Sequence, residues 1–562
     1  MPAHKILNIL TPDISLREKL SKELKISSVL AQVLINRGIK NAKEADEFLN
    51  IKLDSLLDPY FFADMEKAVS LIKKAGGKKE KILICGDYDV DGITSVAILK
   101  DALKRIGVET LHYIPHRVKE GYGLNKNILQ IAKDNNVKFL ITADCGISSH
   151  EEVAGLRRMG AEIIITDHHQ PADAILPEAS AIINPKVKGC KYGYKDLAGV
   201  GVAYKLCQAL TGDKLVSDLD LVSLGTIADV VPLRGENRVF AKEGLACLTR
   251  GKRIGIKALI DASRIGNREI NSTFVSYILG PRINASGRVD TADISLALLL
   301  SQDKQEADEL AKSIEAHNRQ RQKIEGKIME EAQAIIDREV NFKEHKVIVI
   351  AKEGWHQGVL GIVASKLADK FYRPTIVISL SDDLCKGSGR SIKNFHLFSA
   401  LNECKKYLHA FGGHGHAVGL VVRKDNIKDF RKEINRLAHD KLRLDDLLPS
   451  LDVDMELGLE DLSEELIAEL ERLEPFGTGN PEPLFFTRGL KLKSEPVVLS
   501  RDTLKFWING GKVTYPVIGF GMGSFKESLI KAGEFDLAYT PRMDTWQDNS
   551  SVILEAKEII LR

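Results

Sequence analysis

The chain has 562 residues, of which 44% are hydrophobic and 28% charged, a composition typical of globular proteins and a length that allows roughly three or four domains. Its 80 lysines and arginines balance 78 acidic residues, so overall charge indicates no class of partner, and a basic surface would have to arise from local clustering. We find no signal peptide and no run of roughly 20 apolar residues, and the seven cysteines form no CxxC pair. We therefore expect a cytoplasmic protein with reduced thiols and no membrane association.

Two hydrophobic patterns follow one another in the first third of the chain. Residues 14–75 alternate apolar and charged residues near the helical period, which predicts helices. Apolar, β-branched runs then alternate with amphipathic stretches of helical length, which predicts a parallel sheet wrapped by helices. These runs are 81–86, 110–114, 138–142, 161–166 and 180–184.

The rest of the chain predicts more helix, a second α/β pattern and a small barrel. Residues 196–260 read mainly as helix, and a long charged helix is expected at about 303–338. A second strand pattern begins at 346, and the last 75 residues alternate in short strands typical of an OB-fold. The predicted fold is α/β, with two α/β lobes joined by the long helix and followed by an OB-fold-like barrel. The predicted segments are 1–75, 76–260, 261–340, 341–445 and 446–562.

Acidic and imidazole side chains follow three strands of the first predicted sheet. The stretch KILICGDYDVDG places three aspartates after the first strand, ADCG places another after 138–142, and TDHH follows 161–166. One such aspartate is more often a helix cap, but the carboxyl ends of parallel strands meet at one edge. Aspartate and histidine together suit Mn²⁺ or Mg²⁺, and two such ions about 3.5–4 Å apart would clamp a phosphoryl displacement.

These motifs also carry a family resemblance. The order DYDVDG, ADCG, TDHH and GTIADVVPL, followed by GPRINASGR and GGHGHAVG, resembles the DHH phosphoesterase superfamily and its RecJ branch in particular. The last motif is similar to the hallmark of the associated DHHA1 domain. The resemblance implies a 5′→3′ exonuclease that degrades single-stranded DNA to mononucleotides by two-metal-ion phosphodiester hydrolysis, in DNA recombination and repair.

The resemblance also implies the metal ligands. Asp89 and Asp144 would bind one ion, and Asp144 would bridge to a second. The second ion would be held by Asp91, Asp144, His168 and Asp229. Asp87 belongs to the same motif as a ligand or as a partner of one. His169 would contact the scissile phosphate or help to place the water, so the catalytic set is His169, Asp144 and His168. Many relatives have histidine where Cys85 stands, and we interpret Cys85 as a buried structural cysteine.

Further residues are predicted to hold the DNA. Arginine's planar fork matches phosphate oxygens, and anchoring a terminal 5′-phosphate at a fixed distance from the metals would give the enzyme its polarity. By resemblance the substrate-binding residues are Arg117, Arg282, Ser388, Arg390 and His414. A cleft between the two lobes too narrow for duplex DNA would explain single-strand selectivity.

The barrel is assigned to single-strand binding. Each of its aromatic residues is more often core than a platform for stacking bases. These residues are Phe506, Trp507, Tyr515, Phe520 and Trp546. Family resemblance further implies a monomer that works beside a helicase and a single-strand-binding protein.

Two other readings stay open at this point. A DHH phosphodiesterase of short oligonucleotides or cyclic dinucleotides would share the metal motifs, although such relatives generally lack the C-terminal barrel. A non-catalytic single-strand DNA-binding factor would share the fold, but the metal-ligand residues are all present here, which counts against it.

Overall fold

The computed structural model describes residues 5–171, 175–264, 270–510, 513–544 and 551–562. Its strands are, in chain order, β1 (Ile6–Ile9), β2 (Ile82–Gly86), β3 (Thr110–Tyr113), β4 (Phe139–Ala143), β5 (Glu162–Thr166), β6 (Ala181–Ile183), β7 (Ile348–Glu353), β8 (Thr375–Leu380), β9 (Leu384–Arg390), β10 (Leu408–Gly413), β11 (Ala417–Arg423), β12 (Ser450–Val453), β13 (Met455–Glu456), β14 (Phe485–Leu492), β15 (Val497–Leu499), β16 (Thr503–Asn509), β17 (Thr514–Gly519), β18 (Phe535–Asp544) and β19 (Ser551–Leu561).

The helices of the same residues are α1 (Ile14–Leu24), α2 (Ser28–Asn36), α3 (Ala42–Leu49), α4 (Met65–Gly77), α5 (Val90–Arg105), α6 (Asn127–Asp134), α7 (His150–Arg158), α8 (Gly199–Thr211), α9 (Leu219–Ala228), α10 (Gly235–Arg250), α11 (Ile254–Ala262), α12 (Ser272–Phe274), α13 (Gly280–Val289), α14 (Asp293–Leu300), α15 (Lys304–Glu339), α16 (Leu360–Phe371), α17 (Leu397–Glu403), α18 (Ile427–Lys441), α19 (Glu464–Glu471) and α20 (Lys526–Ala532). No helix among the described residues is both long enough and apolar enough to cross a bilayer.

The chain forms two compact units, and the larger comprises residues 55–231 and 236–447. It begins with a five-stranded parallel sheet in the order β3-β2-β4-β5-β6. Every residue of β2 and β4 is buried, as expected for strands whose two faces are both covered by helices. α6 and α7 cover one face, while α5 packs against β2, and α8 and α9 pack against α5. The carboxyl ends of the strands therefore meet at one edge.

The second sheet of this unit is mixed, with the order β10-β11-β9-β8-β7. β7 and β8 are parallel, and β8, β9, β11 and β10 then pair antiparallel in turn. α16 connects β7 to β8 and packs with the second half of α15 in a shared apolar cluster. α15 is the predicted long helix, and it runs over 36 residues.

The smaller unit comprises the described residues of 1–54, 232–235 and 448–562. Its main sheet has seven strands in the order β13-β14-β18-β19-β17-β16-β15, and a further pairing of β14 with β16 closes five of them into a ring. A closed five-stranded barrel is the architecture of the OB-fold. One apolar core joins the barrel to α1, α2 and α3, and β1 pairs in parallel with β12.

The predicted fold class is confirmed, with differences in detail. The five strands predicted between 81 and 184 correspond to β2–β6, and the helix predicted at 303–338 is α15. Strands β1, β9, β10, β12 and β13 were not predicted from the sequence. The predicted boundaries of the five segments stay a prediction.

Candidate active site

The DYDVDG motif lies at the start of α5, directly after β2. Asp89 is the N-cap of this helix, and its Oδ1 accepts a hydrogen bond from the Gly92 amide at 3.0 Å. Asp91 lies in the first turn, where its two carboxylate oxygens accept hydrogen bonds from the first amides of α8, Gly199 at 2.6 Å and Val200 at 2.8 Å. Asp91 is thus fixed between the amino ends of two helices, where the helix dipoles favour negative charge.

Two glycines let the helices come this close to the carboxylates. A Cβ at Gly199 would lie 2.4 Å from Asp144 Oδ1, and a Cβ at Gly225 would lie 2.8 Å from Asp91 Oδ1. Both distances are shorter than van der Waals contact allows. The positions of the carboxylates therefore depend on the absence of a side chain at Gly199 of α8 and at Gly225 of α9.

Asp144 follows β4 in a left-handed backbone conformation with φ of 62°, which aspartate adopts more readily than most residues. Its amide donates a hydrogen bond to the Thr166 carbonyl of β5 at 3.0 Å. The side chain is buried, and its Oδ1 lies 3.3 Å from His168 Nε2. The turn thus aims a carboxylate of β4 at the imidazole that follows β5.

His168 presents an unprotonated nitrogen to these carboxylates. Its Nδ1 lies 2.9 Å from the carbonyl oxygen of Leu197, which needs a proton on Nδ1 and leaves a lone pair on Nε2 in the neutral ring. Asp229 Oδ2 and Asp91 Oδ2 lie 3.6 and 3.9 Å from that nitrogen. Neither His168 Nε2 nor Asp144 Oδ1 has a hydrogen-bond partner in the described part of the chain. Buried acceptors that face one another in this way fit a bound cation.

The pKa values of the site residues also fit a bound cation. Burial and the neighbouring charge of Asp89 raise the pKa of Asp91 to about 7. Burial, together with nearby carboxylates, also raises the pKa values of Asp87, Asp144 and Asp229. Burial lowers the pKa of His168 to about 3, so this imidazole is neutral. A divalent cation would offset the repulsion that keeps these carboxyl pKa values high.

Two sets of three residues bring their ligand atoms within 4.8 Å of one another, and His168 belongs to both. The sets are Asp144, His168 and His169, and Asp91, His168 and Asp229. Of the predicted ligands, Asp87 and Asp89 lie outside these sets, although the charge of Asp89 acts on both Asp91 and Asp144. The donor set of carboxylate and imidazole fits Mn²⁺ or Mg²⁺.

His169 is oriented by Asp167, a residue to which the sequence analysis gave no role. His169 Nδ1 lies 2.8 Å from Asp167 Oδ1. Burial lowers the pKa of His169, but the hydrogen bond and charge of Asp167, together with the charges of Asp89 and Asp91, outweigh burial, so the net shift is upward. Tyr122 also contacts the site, because its hydroxyl donates to the Asp144 carbonyl at 3.0 Å and lies 3.1 Å from His169 Nδ1. Tyr122 lies in the stretch HRVKEGYGLN (116–125), where nothing in its spacing indicates this contact.

Arginines from both sheets gather beside the carboxylates. Arg117 stacks on Tyr88, with its guanidinium carbon 4.5 Å from the ring centroid. Burial, with the nearby charges of Arg117, Arg321 and Arg390, lowers the pKa of Arg288 to about 9. Cations brought this close repel one another, so the cluster of Arg117, Arg288 and Arg390 fits an anion, whereas Arg321 is ion-paired with Glu325 at 2.7 Å.

Ser388 and Arg390 lie on β9 against the start of α16. A Cβ at Gly361, in the first turn of that helix, would lie 3.1 Å from Ser388 Oγ and 3.2 Å from Arg390 Nη2. Arg390 also donates a hydrogen bond to the Gly389 carbonyl at 2.9 Å. A hydroxyl, a guanidinium and a helix amino end are all groups that bind phosphate.

Arg282 has a different environment from the predicted one. Its Nε donates to Glu315 Oε2 on α15 at 2.9 Å, and its Nη1 donates to the Ile278 carbonyl at 3.0 Å. Of the two arginines in GPRINASGR, Arg288 is the one that joins the cluster. Its Nη1 donates to the Gly358 carbonyl at 3.0 Å.

His414 lies on the loop between β10 and β11. Its ring is nearly parallel to that of His169, with 6.3 Å between the centroids. Burial, and the charges of His169 and Lys186, lower the pKa of His414. The DHHA1 motif histidine therefore faces the histidines that follow β5, as the resemblance implies.

Some aromatic residues of the barrel lie in its core and others on its surface. Phe506 is 1% exposed, whereas Trp507 and Phe520 are 40% and 65% exposed. Tyr515 is half-buried and donates its hydroxyl to the Leu462 carbonyl at 2.8 Å. Trp546 lies outside the described residues. Cys85 is fully buried in β2, in agreement with its interpretation as a structural cysteine.

Three family profiles match the chain. The N-terminal domain of the DHH family matches residues 81–226, the DHHA1 domain matches 344–440, and the RecJ OB domain matches 453–558. The three matches fall on the parallel sheet, the mixed sheet and the barrel.

Relatives match over nearly the whole chain. The single-stranded-DNA-specific exonuclease RecJ of Bacillus subtilis is 38% identical over 97% of this chain and 70% of its own length. The protein of the same name from Haemophilus influenzae is 34% identical over 92% of this chain and 93% of its own length. The crystal structure of RecJ in complex with Mn²⁺ from Thermus thermophilus superposes with a TM-score of 0.84 at 27% identity, over 99% of this chain and 79% of that one.

Proposed function

Because the chain belongs to the RecJ family of single-stranded-DNA-specific exonucleases, we propose that it degrades single-stranded DNA from the 5′ end to mononucleotides, in recombination and repair. The observation that carries the proposal is the pair of unpartnered acceptors, His168 Nε2 and Asp144 Oδ1, 3.3 Å apart in a buried cluster of carboxylates. Such a cluster fits divalent cations and the phosphodiester they would act on.

We propose two divalent ions, Mn²⁺ or Mg²⁺, at this cluster. Asp89 and Asp144 would hold one, and Asp144 would also contribute to the second, with Asp87 beside them. The remaining ligands of the second ion are Asp91, His168 and Asp229. When bound, such ions neutralise charge on phosphoryl oxygens and supply a nucleophilic water at neutral pH.

The protein's own groups orient the reaction. Amides of α8 hold Asp91, and the Leu197 carbonyl holds His168 in the tautomer that presents Nε2. Asp167 orients His169 and raises its pKa, which favours a charged imidazole that binds an oxygen of the scissile phosphate. His414 approaches the same place from the opposite sheet.

The arginine cluster supports digestion from the 5′ end. Arg117, Arg288, Arg390 and Ser388 would bind the terminal 5′-phosphate, which would place the first phosphodiester at the metals. Arg282 remains a predicted DNA contact, and its ion pair with Glu315 would have to open for it to reach the strand. The barrel would bind the single strand further along.

Of the other two readings, neither is favoured. The matched RecJ OB domain suits a long strand better than a dinucleotide, and the retained carboxylates and histidines suit a catalyst better than a scaffold. We further propose that the protein works in the cytoplasm as a monomer, beside a helicase and a single-strand-binding protein.

A doubly labelled strand tests this function. We expect that a long single strand carrying different labels at its two ends loses the 5′ label first, as a mononucleotide, when Mn²⁺ or Mg²⁺ is present. A chelator should stop the reaction. Rapid cleavage of two- to five-residue oligonucleotides without digestion of long strands would instead support the short-substrate phosphodiesterase.

A further inference from the structure

Lys186 lies at the carboxyl end of the first sheet, and no role has been assigned to it above. It follows the edge strand β6, which pairs in parallel with β5, and the Asp167 amide donates to the Ile183 carbonyl at 3.1 Å. Asn184 joins the two loops, because its amide group donates to the His169 carbonyl at 3.0 Å and its Oδ1 accepts from the Lys186 amide at 2.7 Å. The backbone of Lys186 is thus fixed beside that of His169.

Lys186 is half-buried, and its ammonium group has no ion-pair partner within the described ranges. Asn184 links the backbone of Lys186 to the carbonyl of His169. An unpaired cation is therefore carried by the loop next to the candidate metal ligands.

The order of the strands shows what this cation could bind. Along the sheet, Arg117 follows β3, the DYDVDG aspartates follow β2, Asp144 follows β4, the histidines follow β5, and Lys186 follows β6. Positive groups therefore stand at both ends of an acidic row. Arg117 acts on Asp87, at the opposite end of the row from Lys186.

We propose that Lys186 is a substrate-binding residue whose ammonium group binds the phosphate immediately 3′ of the scissile one. The inference rests on the proposed function. With the terminal 5′-phosphate at the arginine cluster and the scissile phosphate over the carboxylates, the strand continues toward β6. Lysine is a compact point charge on a flexible stem, suited to a backbone contact without sequence preference.

Combining a substitution in the protein with a modification of the substrate tests this contact. We compare wild type and Lys186→Ala on single strands in which the second linkage from the 5′ end is either a phosphate or an uncharged methylphosphonate. In wild type, the neutral linkage should lower kcat/KM about tenfold, mainly through KM, as expected for one lost charged contact. Lys186→Ala should show a similar loss on the normal strand and no further loss on the neutral linkage. Lys186→Arg should retain the wild-type pattern.

A binding measurement gives a readout that does not depend on cleavage. With a chelator present, the slope of log affinity for a fluorescent single strand against log salt should become shallower by about 0.7 in Lys186→Ala, the value for one phosphate contact on a single strand. Lys188→Ala is the matched control, because Lys188 is exposed on the same loop. It should behave as wild type in both experiments.

The outcomes separate this inference from the proposed function. If wild type digests the strand but the methylphosphonate penalty is equal in wild type and Lys186→Ala, Lys186 does not bind that phosphate and only this inference is wrong. An unchanged salt slope in Lys186→Ala would lead to the same conclusion. If wild type digests no single strand with either metal, the proposed function fails and the assignment of Lys186 fails with it.

Discussion

Asp144 is the residue on which the proposed metal centre depends most. It faces His168 and belongs, with His168 and His169, to one of the two sets of candidate ligands. Its left-handed backbone and the hydrogen bond from its amide to Thr166 fix its direction. A substitution at this residue should therefore affect cation binding without affecting the arginines that would hold the strand.

We expect Asp144→Ala to lower nuclease activity by more than about 100-fold, because loss of even a supporting partner of a metal ligand costs about 10–100-fold. Affinity for single-stranded DNA should stay within about threefold of wild type. Metal-dependent release of nucleotides and binding by fluorescence anisotropy would measure the two effects. Asp213→Ala, at an exposed position, is the control. Activity of Asp144→Ala within tenfold of wild type would contradict the assignment.

The arginine cluster predicts a second effect at the scale of single residues. Arg390→Ala should reduce the preference for a 5′-phosphorylated over a 5′-hydroxyl end by about tenfold or more, because a hydrogen bond to a charged group contributes about 1.5–3 kcal/mol. Competition between the two substrates would measure the preference. An equal loss of rate on both ends would make Arg390 a general backbone contact.

Arg288 and Arg282 provide a matched pair for the same measurement. Arg288→Lys should weaken the 5′-phosphate preference, because lysine cannot reproduce a planar fork. Arg282→Lys should leave that preference unchanged, because Arg282 pairs with Glu315. The reverse pattern would support the substrate-binding role predicted for Arg282 from the sequence.

At the scale of elements, glycines in two helices should respond to alanine in opposite ways. A Cβ at Gly199, the first residue of α8, would lie 2.4 Å from Asp144 Oδ1, whereas a Cβ at Gly326 in α15 would meet nothing within 4 Å. Gly326→Ala should raise the free energy of unfolding by about 0.5–1 kcal/mol, because alanine is the better helix former. Gly199→Ala should displace Asp144 and weaken Mn²⁺ binding.

Thermal unfolding and calorimetric Mn²⁺ titration of the two variants would check this pair. Gly326→Ala should unfold at a higher temperature than wild type and keep its nuclease activity. Unchanged Mn²⁺ affinity in a folded Gly199→Ala protein would show that α8 does not set the position of the carboxylate.

The sequence predicted elements well where a single physical rule decides them. β2, β4 and β5 are apolar runs, and their carboxyl ends must meet, so the aspartates and His168 could be assigned to one site in advance. β9 and β10 were missed because GSGR and AFGG lack the β-branched residues that mark strands. Gly387 leaves little room for a side chain there, because a Cβ would lie 3.0 Å from an Ile378 side-chain atom and 3.2 Å from the Val377 carbonyl.

The different surroundings of Arg282 and Arg288 have a geometric cause. Six residues along an α-helix amount to a rotation about 120° short of two full turns, so the two arginines of α13 point in different directions. Which of them faces the site depends on how α13 packs against α15, where Glu315 pairs with Arg282. A motif read without its partner helix does not contain that information.

At the scale of the whole molecule, the carboxylate cluster should couple stability to pH and metal. The pKa of Asp91 is raised to about 7 in the folded protein, above the ordinary value of about 4. A group with a raised pKa stabilises the folded state at low pH, and this contribution is lost as the pH rises through the folded value. The metal-free protein should therefore lose stability between about pH 4 and pH 7 through this group.

Bound Mn²⁺ should restore that stability, because a ligand that binds only the folded state raises its stability. The increase in Tm on adding Mn²⁺ should be larger at pH 8 than at pH 6, since protonated carboxyls do not bind the ion. Differential scanning fluorimetry with Mn²⁺ or a chelator would measure it, and Asp144→Ala is the comparison. Equal increases in both proteins would place the ion elsewhere.

The smaller unit is built from both ends of the chain, and this has a consequence for its biosynthesis. α1, α2 and α3 share one apolar core with the C-terminal barrel, yet about 400 residues separate the two segments. At a translation rate of about 5–20 residues per second, the strands that cover the apolar faces of these helices are synthesised about 20–80 s after the helices. During that interval the nascent chain exposes a surface that chaperones recognise, so we expect ribosome-bound intermediates of this protein to carry a chaperone on residues 14–49.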